Sequence, residues 1–494
     1  MSAPAQPLGH DRDHRIDVEA VNTAANRALY KKRAPIYPKL VQGRFRNIKW
    51  AAMIGLLAIY YITPWLRWDR GIGRPDQAVL VDFEGRRFYF FFIELWPQEI
   101  YYITGLLILA SIGLFLATAL VGRVWCGYAC PQTVWTDLYI YIERLMEGDR
   151  NARIKLDKAG WSFDKLWRKT GKHALWLLVA VATGGAWVFY FGDAPTLAAQ
   201  LFAGAASPMI YLFVGLLSFT TYALAGTMRE QVCTYMCPWP RIQAAMTDAD
   251  ALSVTYRVDR GEPRGAHKKG TPWQGRGDCI DCNQCVAACP QGIDIRNGDQ
   301  LECINCALCI DACDEIMDKV GRPRGLIAYD THANVERRQK GEPAGWRFIR
   351  PRTILYGVLF VAISGVMGFQ MLNRTMLSLD VSPDRSPPFV RLADGSIRNN
   401  YDLKIINKSA EARSLRLRVV GAPGAAISAF GSEASGPAIE LVAKADTVTT
   451  AHLHVTLPPG AVTAGASRIA FEVADPGTGE LVAAAKSAFL GAAP

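Results

Sequence analysis

Histidine is scarce in this chain of 494 residues, with only seven present. None of the seven belongs to a haem-attachment motif or to the H-E-x-x-H pattern of zinc hydrolases. The sequence also lacks a nucleic-acid recognition motif, so its net charge of +10 needs another explanation. These absences argue against covalently attached haem, a zinc hydrolase site and a nucleic-acid partner.

Charged residues are missing from five long stretches, at 50–66, 100–122, 174–192, a run that ends at Met228, and 353–373. A helix needs about 20 predominantly apolar residues to cross the hydrocarbon core of a bilayer. Pro64 interrupts the first stretch, and the fourth becomes densely apolar only over 209–227. Five such runs are hard to bury in a soluble protein, so the sequence predicts five transmembrane helices.

Lysine and arginine are unevenly distributed among the segments that connect these runs. Ten precede residue 50 and ten lie at 123–172, whereas the connection between the third and fourth runs has none. Cytoplasmic loops are enriched in these residues, so the pattern predicts a cytoplasmic N-terminus and a C-terminus outside, although five arginines at 67–87 oppose it. We see no signal peptide, because the first apolar run follows a polar, basic tail. The net positive charge is then largely a topological signal.

Eight of the twelve cysteines lie between 279 and 313 and form two copies of C-x2-C-x2-C-x3-C. In two-cluster ferredoxins the fourth cysteine of each such run binds the other cluster. We therefore expect two [4Fe–4S] clusters, one on Cys279, Cys282, Cys285 and Cys313, and one on Cys303, Cys306, Cys309 and Cys289. Structural zinc and disulfides fit less well, because of the tight double spacing and the reducing cytoplasm. Pro290 follows the first run but Asp314 follows the second, so the surroundings of the two clusters are expected to differ.

The cysteine-rich segment falls between the fourth and fifth apolar runs, and therefore on the cytoplasmic side of the predicted membrane. Two clusters in one such module lie close enough to exchange single electrons. This placement predicts electron transfer beside the membrane.

The other four cysteines form two copies of C-x-Y-x-C-P, each after an apolar run. Cys126 pairs with Cys130, and Cys233 with Cys237; the proline disfavours helix at the second cysteine of each pair. Residues four apart share a helix face, and thiolates favour Cu(I), zinc or iron–sulfur. The repeat predicts an internal duplication that puts both pairs on the same membrane face. Three interpretations stay open: a redox-active copper or thiol site, a further cluster on all four thiols, and buried cysteines without a chemical role.

The histidines are the next candidates for ligands. His173 begins the third apolar run, where it is either a metal or haem ligand or an interfacial side chain. His452 and His454 alternate along a predicted strand and share a face, which favours strand surface over a metal site. His10 and His14 lie in the basic tail.

Two glutamates, Glu94 and Glu99, flank Pro97 at the outer end of the second apolar run. Carboxylates at this position can transfer protons, or bind a quinol or an ion. Anchoring of the interface is the favoured interpretation, and we assign them no chemical role.

Beyond residue 373 the texture changes, and short segments such as "RSLRLRVVG" and "TAHLHVTL" alternate apolar and polar residues between turn signals. This pattern predicts an antiparallel immunoglobulin-like β-sandwich of about seven strands. The region has no cysteine, so the sandwich has no disulfide. Its fold alone does not fix a role.

Together these patterns predict a multi-domain protein, in which a ferredoxin-like domain is inserted into an α-helical membrane bundle that precedes an all-β sandwich. Five parts are expected: a basic cytoplasmic tail at 1–48, a four-helix membrane region at 49–228, a cytoplasmic segment at 229–350 with a ferredoxin core at 275–320, a fifth transmembrane helix at 351–373, and an external sandwich at 380–494.

The stretches "GRVWCGYACPQTVW" and "CTYMCPW", the twin ferredoxin runs and the C-terminal sandwich resemble the CcoG/FixG (RdxA) family of cytochrome c oxidase accessory proteins over nearly the whole chain. The resemblance implies a bacterial inner-membrane protein, with a periplasmic C-terminal domain, that reduces Cu(II) to Cu(I) during assembly of cbb3-type oxidase. It implies copper handling by the C-x3-C-P thiols, which are Cys126, Cys130, Cys233 and Cys237. The implied partners are a copper transporter or chaperone and oxidase assembly factors. Membrane ferredoxins that pass quinol electrons to periplasmic nitrate reductase also share C-x3-C-P, but the extra β-domain favours the first family.

The resulting hypothesis is that an unidentified cytoplasmic or quinol donor reduces the clusters, which reduce Cu(II) at the membrane-edge thiolates. One alternative is an electron-transfer subunit that serves a periplasmic acceptor. The other is a non-enzymatic assembly scaffold, in which the clusters only hold the shape of the protein.

Overall fold

The computed structural model of the chain describes residues 15–23, 34–71, 73–267, 272–409, 411–431, 435–461 and 465–491. Its contacts divide the chain into two units, Met1–Met367 and Gly368–Pro494. The first unit contains the cysteines, and the second contains the predicted β-sandwich.

Five helical segments in the described part of the chain are long and apolar enough to cross a membrane. They are Arg44–Trp65, Pro97–Val121, Phe163–Phe191, Pro208–Met228 and Pro351–Leu372. Most of their side chains are not buried inside the protein, as is expected where lipid rather than protein covers a helix. The five predicted spans are confirmed, but the first helix begins at Arg44, before the charge-free run, and buries Arg46 and Lys49.

Shorter helices lie between these spans in the chain. In chain order the helices are α1 (Arg44–Ile62), α2 (Ile100–Val121), α3 (Pro131–Glu147), α4 (Arg150–Lys158), α5 (Phe163–Val188), α6 (Ala194–Phe202), α7 (Pro208–Thr221), α8 (Trp239–Met246), α9 (Val258–Gly261), α10 (Gln284–Ala288), α11 (Leu308–Lys319), α12 (His332–Gln339) and α13 (Pro351–Leu372).

The start of α1 is fastened to the cysteine-rich domain by Asp311 of α11. The Asp311 carboxylate accepts the backbone N–H groups of Phe45 at 3.2 Å and Arg46 at 2.7 Å, which are donors that a helix N-terminus leaves without an internal partner. A Cβ atom on Gly43 would lie 2.4 Å from the Asp311 carboxyl carbon, so the approach requires glycine there. Asp311 lies between Cys309 and Cys313, so this contact joins a membrane helix to the second cysteine run.

A buried network of ion pairs holds α3, α4, α5 and the end of the fourth span together. Glu143 of α3 forms ion pairs with Arg153 and Arg229, and Lys172 Nζ lies 3.7 Å from the Glu143 carboxylate and 2.9 Å from that of Glu147. Removing one partner of a buried pair would leave an uncompensated charge, which is strongly destabilising. The network therefore holds these helices together at Arg229, which precedes the second cysteine pair in the chain.

A small antiparallel sheet connects the first two spans, and the sequence patterns did not predict it. Its strands are β1 (Val79–Asp82), β2 (Arg87–Phe90) and β3 (Ile93–Leu95), in that order. Glu94 forms an ion pair with Arg87 at 2.9 Å, and the Glu99 carboxylate accepts the Trp96 N–H at 3.1 Å. Arg70 donates to four backbone carbonyl groups of the same region. The glutamates and two of the arginines at 67–87 therefore build this connection.

The ferredoxin domain is larger than the predicted core at 275–320. Strands β4 (Ser253–Tyr256) and β5 (Ile327–Asp330) pair antiparallel, and their apolar side chains pack against the cysteine loops. Part of the N-terminal segment also belongs to it, because the Ile16 N–H donates to the Cys282 carbonyl at 3.0 Å and that of Val21 to the Gly292 carbonyl at 2.8 Å. The segment predicted as a basic tail thus covers this domain in part. His10 and His14 lie outside the described residues.

The second unit is an antiparallel sandwich. Its strands are β6 (Leu377–Pro383), β7 (Val390–Arg391), β8 (Ile397–Asn407), β9 (Arg413–Val420), β10 (Ala426–Ala429), β11 (Ser435–Gly436), β12 (Ala438–Ala443), β13 (Thr447–Leu457), β14 (Ala466–Ala474) and β15 (Leu481–Leu490). One sheet has the order β11-β10-β13-β8-β6 with β7 beside β8, and the other has the order β12-β9-β14-β15. The predicted fold is confirmed. The count of seven was wrong, because the described residues form ten strands, and the first begins at Leu377 rather than after 380.

The strand histidines lie on β13 and face its neighbour β8. His452 Nδ1 is 2.5 Å from the Asp402 carboxylate, and His454 Nδ1 is 2.8 Å from the Asn400 side-chain oxygen. Each histidine therefore forms a cross-strand pair, which agrees with the interpretation that both belong to the strand surface.

We predict that Asp311→Ala destabilises the first unit by about 1–3 kcal/mol, because two backbone N–H groups at the start of α1 lose their acceptor. The measurement is thermal unfolding of the purified protein in detergent. Asp318→Ala is the matched control, since Asp318 is an aspartate of the same helix that makes an exposed ion pair with Arg324. Equal unfolding temperatures for the two variants would contradict this contact.

Candidate iron–sulfur and thiol site

The two ferredoxin runs adopt the same unusual backbone. Asp281 and Asn283 of the first run have φ of 53° and 59°, and Asn305 and Ala307 occupy the matching positions of the second run with 53° and 59°. Residues with positive φ between residues with negative φ turn successive N–H groups to one side and form anion-binding concavities. Backbone N–H groups of Gln284, Asn305 and Leu308 accordingly donate to cysteine sulfurs.

The eight cysteines separate into two sets of four. Cys313 interacts electrostatically with Cys285, Cys282 and Cys279, although it belongs to the second run. We call these four the outer set. Cys289 of the first run interacts instead with Cys306 and Cys303, and Cys309 interacts with all three and, least strongly, with Cys285. We call Cys289, Cys303, Cys306 and Cys309 the inner set.

Burial gives these thiols weak acidity. It raises the pKa of Cys289 to about 12 and that of Cys303 to about 11, and it raises the pKa of Cys309 and Cys313 well above the usual range. Each set thus combines four desolvated sulfur ligands with backbone N–H donors, a combination that fits a [4Fe–4S] cluster. When bound, such a cluster takes up and releases single electrons.

Each C-x3-C-P motif forms one turn of π-helix at the end of a span. The turns are Trp125–Ala129 and Val232–Met236, and single π-turns are frequent at functional sites. The helix breaks at the second cysteine as the prolines predict: Cys130 has φ −61° and ψ 128°, and Cys237 has φ −80° and ψ 120°. The duplicated sequence therefore has a duplicated local structure.

The two turns bring their four thiols near one another. The Cys126 thiol interacts electrostatically with Cys130, Cys233 and Cys237, and burial, followed by these neighbours, raises its pKa to about 12. Burial likewise raises the pKa of Cys233 to about 12. Burial raises the pKa of Cys130 too, but N–H groups at the start of α3 donate to its sulfur and favour the thiolate. We call these four cysteines the membrane-edge thiols.

Both turns contact the inner set rather than the outer set. The Tyr128 hydroxyl donates to the Cys306 carbonyl at 3.2 Å, and the Arg123 guanidinium donates to the Cys303 carbonyl at 3.2 Å. A Cβ atom on Gly127 would lie 2.8 Å from the Ile304 carbonyl oxygen and 3.1 Å from the Cys306 Cα atom, so only glycine permits this approach.

The second turn is linked to the inner set through Gln291. The Gln291 side chain opposes the rise of the Cys233 pKa, both residues line one small cavity, and Gln291 follows Cys289 by two residues. The first turn therefore contacts the second cysteine run at Ile304 and Cys306, and the second turn lies beside the end of the first run at Gln291.

In the described part of the chain, no three histidine, cysteine or acidic side chains are close enough together to hold one metal ion. Thiolates around one zinc ion each lie about 2.3 Å from it, whereas those of a cubane bind different iron atoms.

Sequence reasoning missed two polar side chains that contact the membrane-edge thiols. The Cys126 thiol donates to the Gln243 side-chain oxygen at 3.1 Å, and Gln291 lines the same cavity as Cys233. The tetrapeptide Ala-Cys-Pro-Gln occurs twice, at 129–132 and 288–291, and is the signal that would have pointed to Gln291. We find no comparable signal for Gln243.

His173 is placed away from these thiols. Its Nδ1 atom lies 2.8 Å from the Tyr222 hydroxyl, and its ring meets the edge of Trp176 with centroids 5.2 Å apart. These contacts make it part of an aromatic group between α5 and the fourth span.

Comparison with known proteins accounts for nearly the whole chain. A 4Fe-4S dicluster domain model matches residues 228–332, a 4Fe-4S binding domain model matches 103–147, and a model described as the IG-like fold at the C-terminal of FixG matches 367–492. The nitrogen fixation protein FixG of Rhizobium meliloti (strain 1021) is 49% identical over 476 residues, which cover 90% of this chain and 91% of that protein. This chain belongs to the FixG family.

Two further FixG relatives come from Cereibacter sphaeroides. Protein RdxB is 51% identical over 89% of this chain and 92% of its own length, and protein RdxA is 48% identical over 94% and 99%. A crystal structure of a FixG-related protein from Vibrio parahaemolyticus matches with 21% identity and a TM-score of 0.19, over 23% of this chain and 95% of that one. As a FixG-family member with two matched 4Fe-4S domains, the chain is an iron–sulfur protein.

We predict that Gly127→Ala costs about 1–3 kcal/mol of stability, because the added methyl group forces the first turn away from the backbone of the inner set. Thermal unfolding in detergent measures this loss. Gly215→Ala in α7 is the matched control, because a Cβ atom there meets no atom within 4 Å. A Gly127→Ala protein as stable as that control would contradict the close approach.

Proposed function

We propose that this FixG-family protein carries electrons through two [4Fe–4S] clusters to the membrane-edge thiols, where Cu(II) is reduced to Cu(I) for assembly of a cbb3-type oxidase. The outer set would bind one cluster and the inner set the other. Copper is the substrate, and Cys126, Cys130, Cys233 and Cys237 are the residues that would meet it.

The observation that carries the proposal is the contact of both membrane-edge turns with the inner set. Gly127 lies against the backbone of Ile304 and Cys306, and Gln291 joins Cys233 to the segment that follows Cys289. An electron on the inner cluster would therefore have a short path through packed protein to the thiols. The outer set would serve as the entry side of the relay.

The chemistry of the thiols suits the reduction of copper. Cu(II) needs one electron to become Cu(I), and soft thiolate ligands stabilise the Cu(I) product over Cu(II). Burial raises the pKa of the Cys126 and Cys233 thiols, so binding a metal ion would displace protons from them. The N–H groups at the start of α3 favour loss of the Cys130 proton.

The proposal includes a location and partners. The protein would span the bacterial inner membrane five times, with its N-terminus, both C-x3-C-P turns and the ferredoxin domain in the cytoplasm and the sandwich in the periplasm. The unequal distribution of lysine and arginine among the loops supports this orientation. A cytoplasmic or quinol donor would supply electrons, and a copper transporter or chaperone would accept Cu(I) for the oxidase assembly factors.

The test replaces the membrane-edge thiols together and measures Cu(II) reduction by the chemically reduced protein with a Cu(I)-specific chelator. We expect the replacement to lower the rate at least tenfold while the clusters remain, because the electron loses its exit. The variant carries four changes: Cys126→Ala, Cys130→Ala, Cys233→Ala and Cys237→Ala.

The EPR signals of the clusters provide the control for that experiment. The cluster EPR signals must match those of the wild type, which separates loss of the exit from loss of the clusters. Reduction of Cu(II) at the wild-type rate by this variant would reject the thiol assignment. Clusters that cannot be reduced reversibly would instead favour the assembly scaffold.

A second candidate function is electron transfer to a periplasmic acceptor, with the membrane-edge thiols holding a third cluster. The match of residues 103–147 to a 4Fe-4S binding domain favours it, because that segment contains only Cys126 and Cys130.

Iron counting separates the two candidates. We expect about 8 irons per chain for two clusters and about 12 for three, because each cubane contains four. The four-alanine variant should then keep its iron content under the copper proposal and lose about a third of it under the alternative. The measurement is iron and acid-labile sulfide per chain after anaerobic purification.

A further inference from the structure

Lys49 is a buried cation at a position where no sequence pattern predicts one. It lies in the second turn of α1, within a candidate membrane span, and only 4% of it is exposed. A charged side chain is costly at such a position, and charged residues in membrane segments commonly have a function. Two neighbours share its surroundings, Arg46 at 2% exposure and Asp137 at 6%.

The Arg46–Asp137 pair is neutral by itself. The Arg46 guanidinium donates to both carboxylate oxygens of Asp137, at 2.9 Å and 2.7 Å. Lys49 Nζ lies 3.8 Å from Asp137, beyond hydrogen-bond distance. The trio therefore carries one excess positive charge, and Lys49 brings it.

That charge faces both redox sites. Lys49 lines a small cavity together with Ile304, Pro290, Gln291 and Cys233, and the oppositely charged Arg229 and Glu230 line it too. Ile304 lies between Cys303 and Cys306 in the chain, and Pro290 directly follows Cys289. The outer set is different, because Arg296, a cation that acts on Cys285, is paired with Asp281 and Asp294.

We propose that Lys49 raises the reduction potential of the cluster on the inner set and leaves that of the outer cluster unchanged. A reduced cluster carries one more negative charge than an oxidised one, so a nearby cation stabilises the reduced form, and most strongly where burial keeps water away. Lys49 thereby favours the presence of the electron next to the membrane-edge thiols. It is a positioning residue and does not touch the reacting atoms.

The inference rests on the two-cluster part of the proposed function and is independent of copper. Its test is an EPR-monitored redox titration of the purified protein, in which Cys306→Ser identifies the signal of the inner cluster. We expect Lys49→Met to shift the potential of that signal downward and Lys49→Arg to restore it. Asp137→Asn removes the negative partner and should shift the same potential upward.

A merely structural role for Lys49 would not produce shifts of opposite sign. Lys172→Met is the matched control, because Lys172 is a buried lysine at the start of another span that pairs with Glu143 and Glu147. It should leave both potentials where they are, and iron content confirms that every variant keeps its clusters. The proposal is overturned if Lys49→Met changes neither potential or moves both equally, or if Asp137→Asn moves the inner potential downward. A protein without two clusters by iron content would overturn the cluster assignment instead.

Discussion

The contact between Gly127 and the backbone of Ile304 to Cys306 is the constraint on which the redox arrangement depends. It brings the first membrane-edge turn against the inner set with no side chain between them. Any residue larger than glycine would add atoms at the place where the electron leaves the inner set. Hydrogen bonds from Tyr128 to the Cys306 carbonyl and from Arg123 to the Cys303 carbonyl stabilise the same contact.

The surrounding structure keeps this contact rigid. Asp311 fastens the first span to α11, which carries a cysteine of each set, and the Glu143 network fixes the end of the fourth span beside α3. Such anchoring matters because electron transfer and metal binding both depend on preorganised ligands.

The sequence allowed prediction of what local patterns encode. Cysteine spacing, charge-free runs and the prolines after Cys130 and Cys237 predicted the clusters, the spans and the breaks in the helices. It did not reveal that both motifs meet the inner set, because Tyr128 and Cys306 are far apart in the chain and their contact leaves no periodic signal. Strands of two residues, such as Val390–Arg391, are too short to show alternation, so the sequence pattern predicts fewer strands than the sandwich has. Buried charges in the first helix were missed because the run was defined by the absence of charge.

The most direct test of the account follows a single electron. The protein is reduced anaerobically, freed of reductant, mixed with Cu(II) and frozen at successive times for EPR, which detects both the reduced clusters and Cu(II). The account predicts that the Cu(II) signal decays by one copper per electron and that the outer-cluster signal is lost first, because the outer cluster refills the inner cluster of higher potential. A Cu(II) signal that persists beside reduced clusters, or loss of the inner-cluster signal while the outer cluster stays reduced, would contradict it.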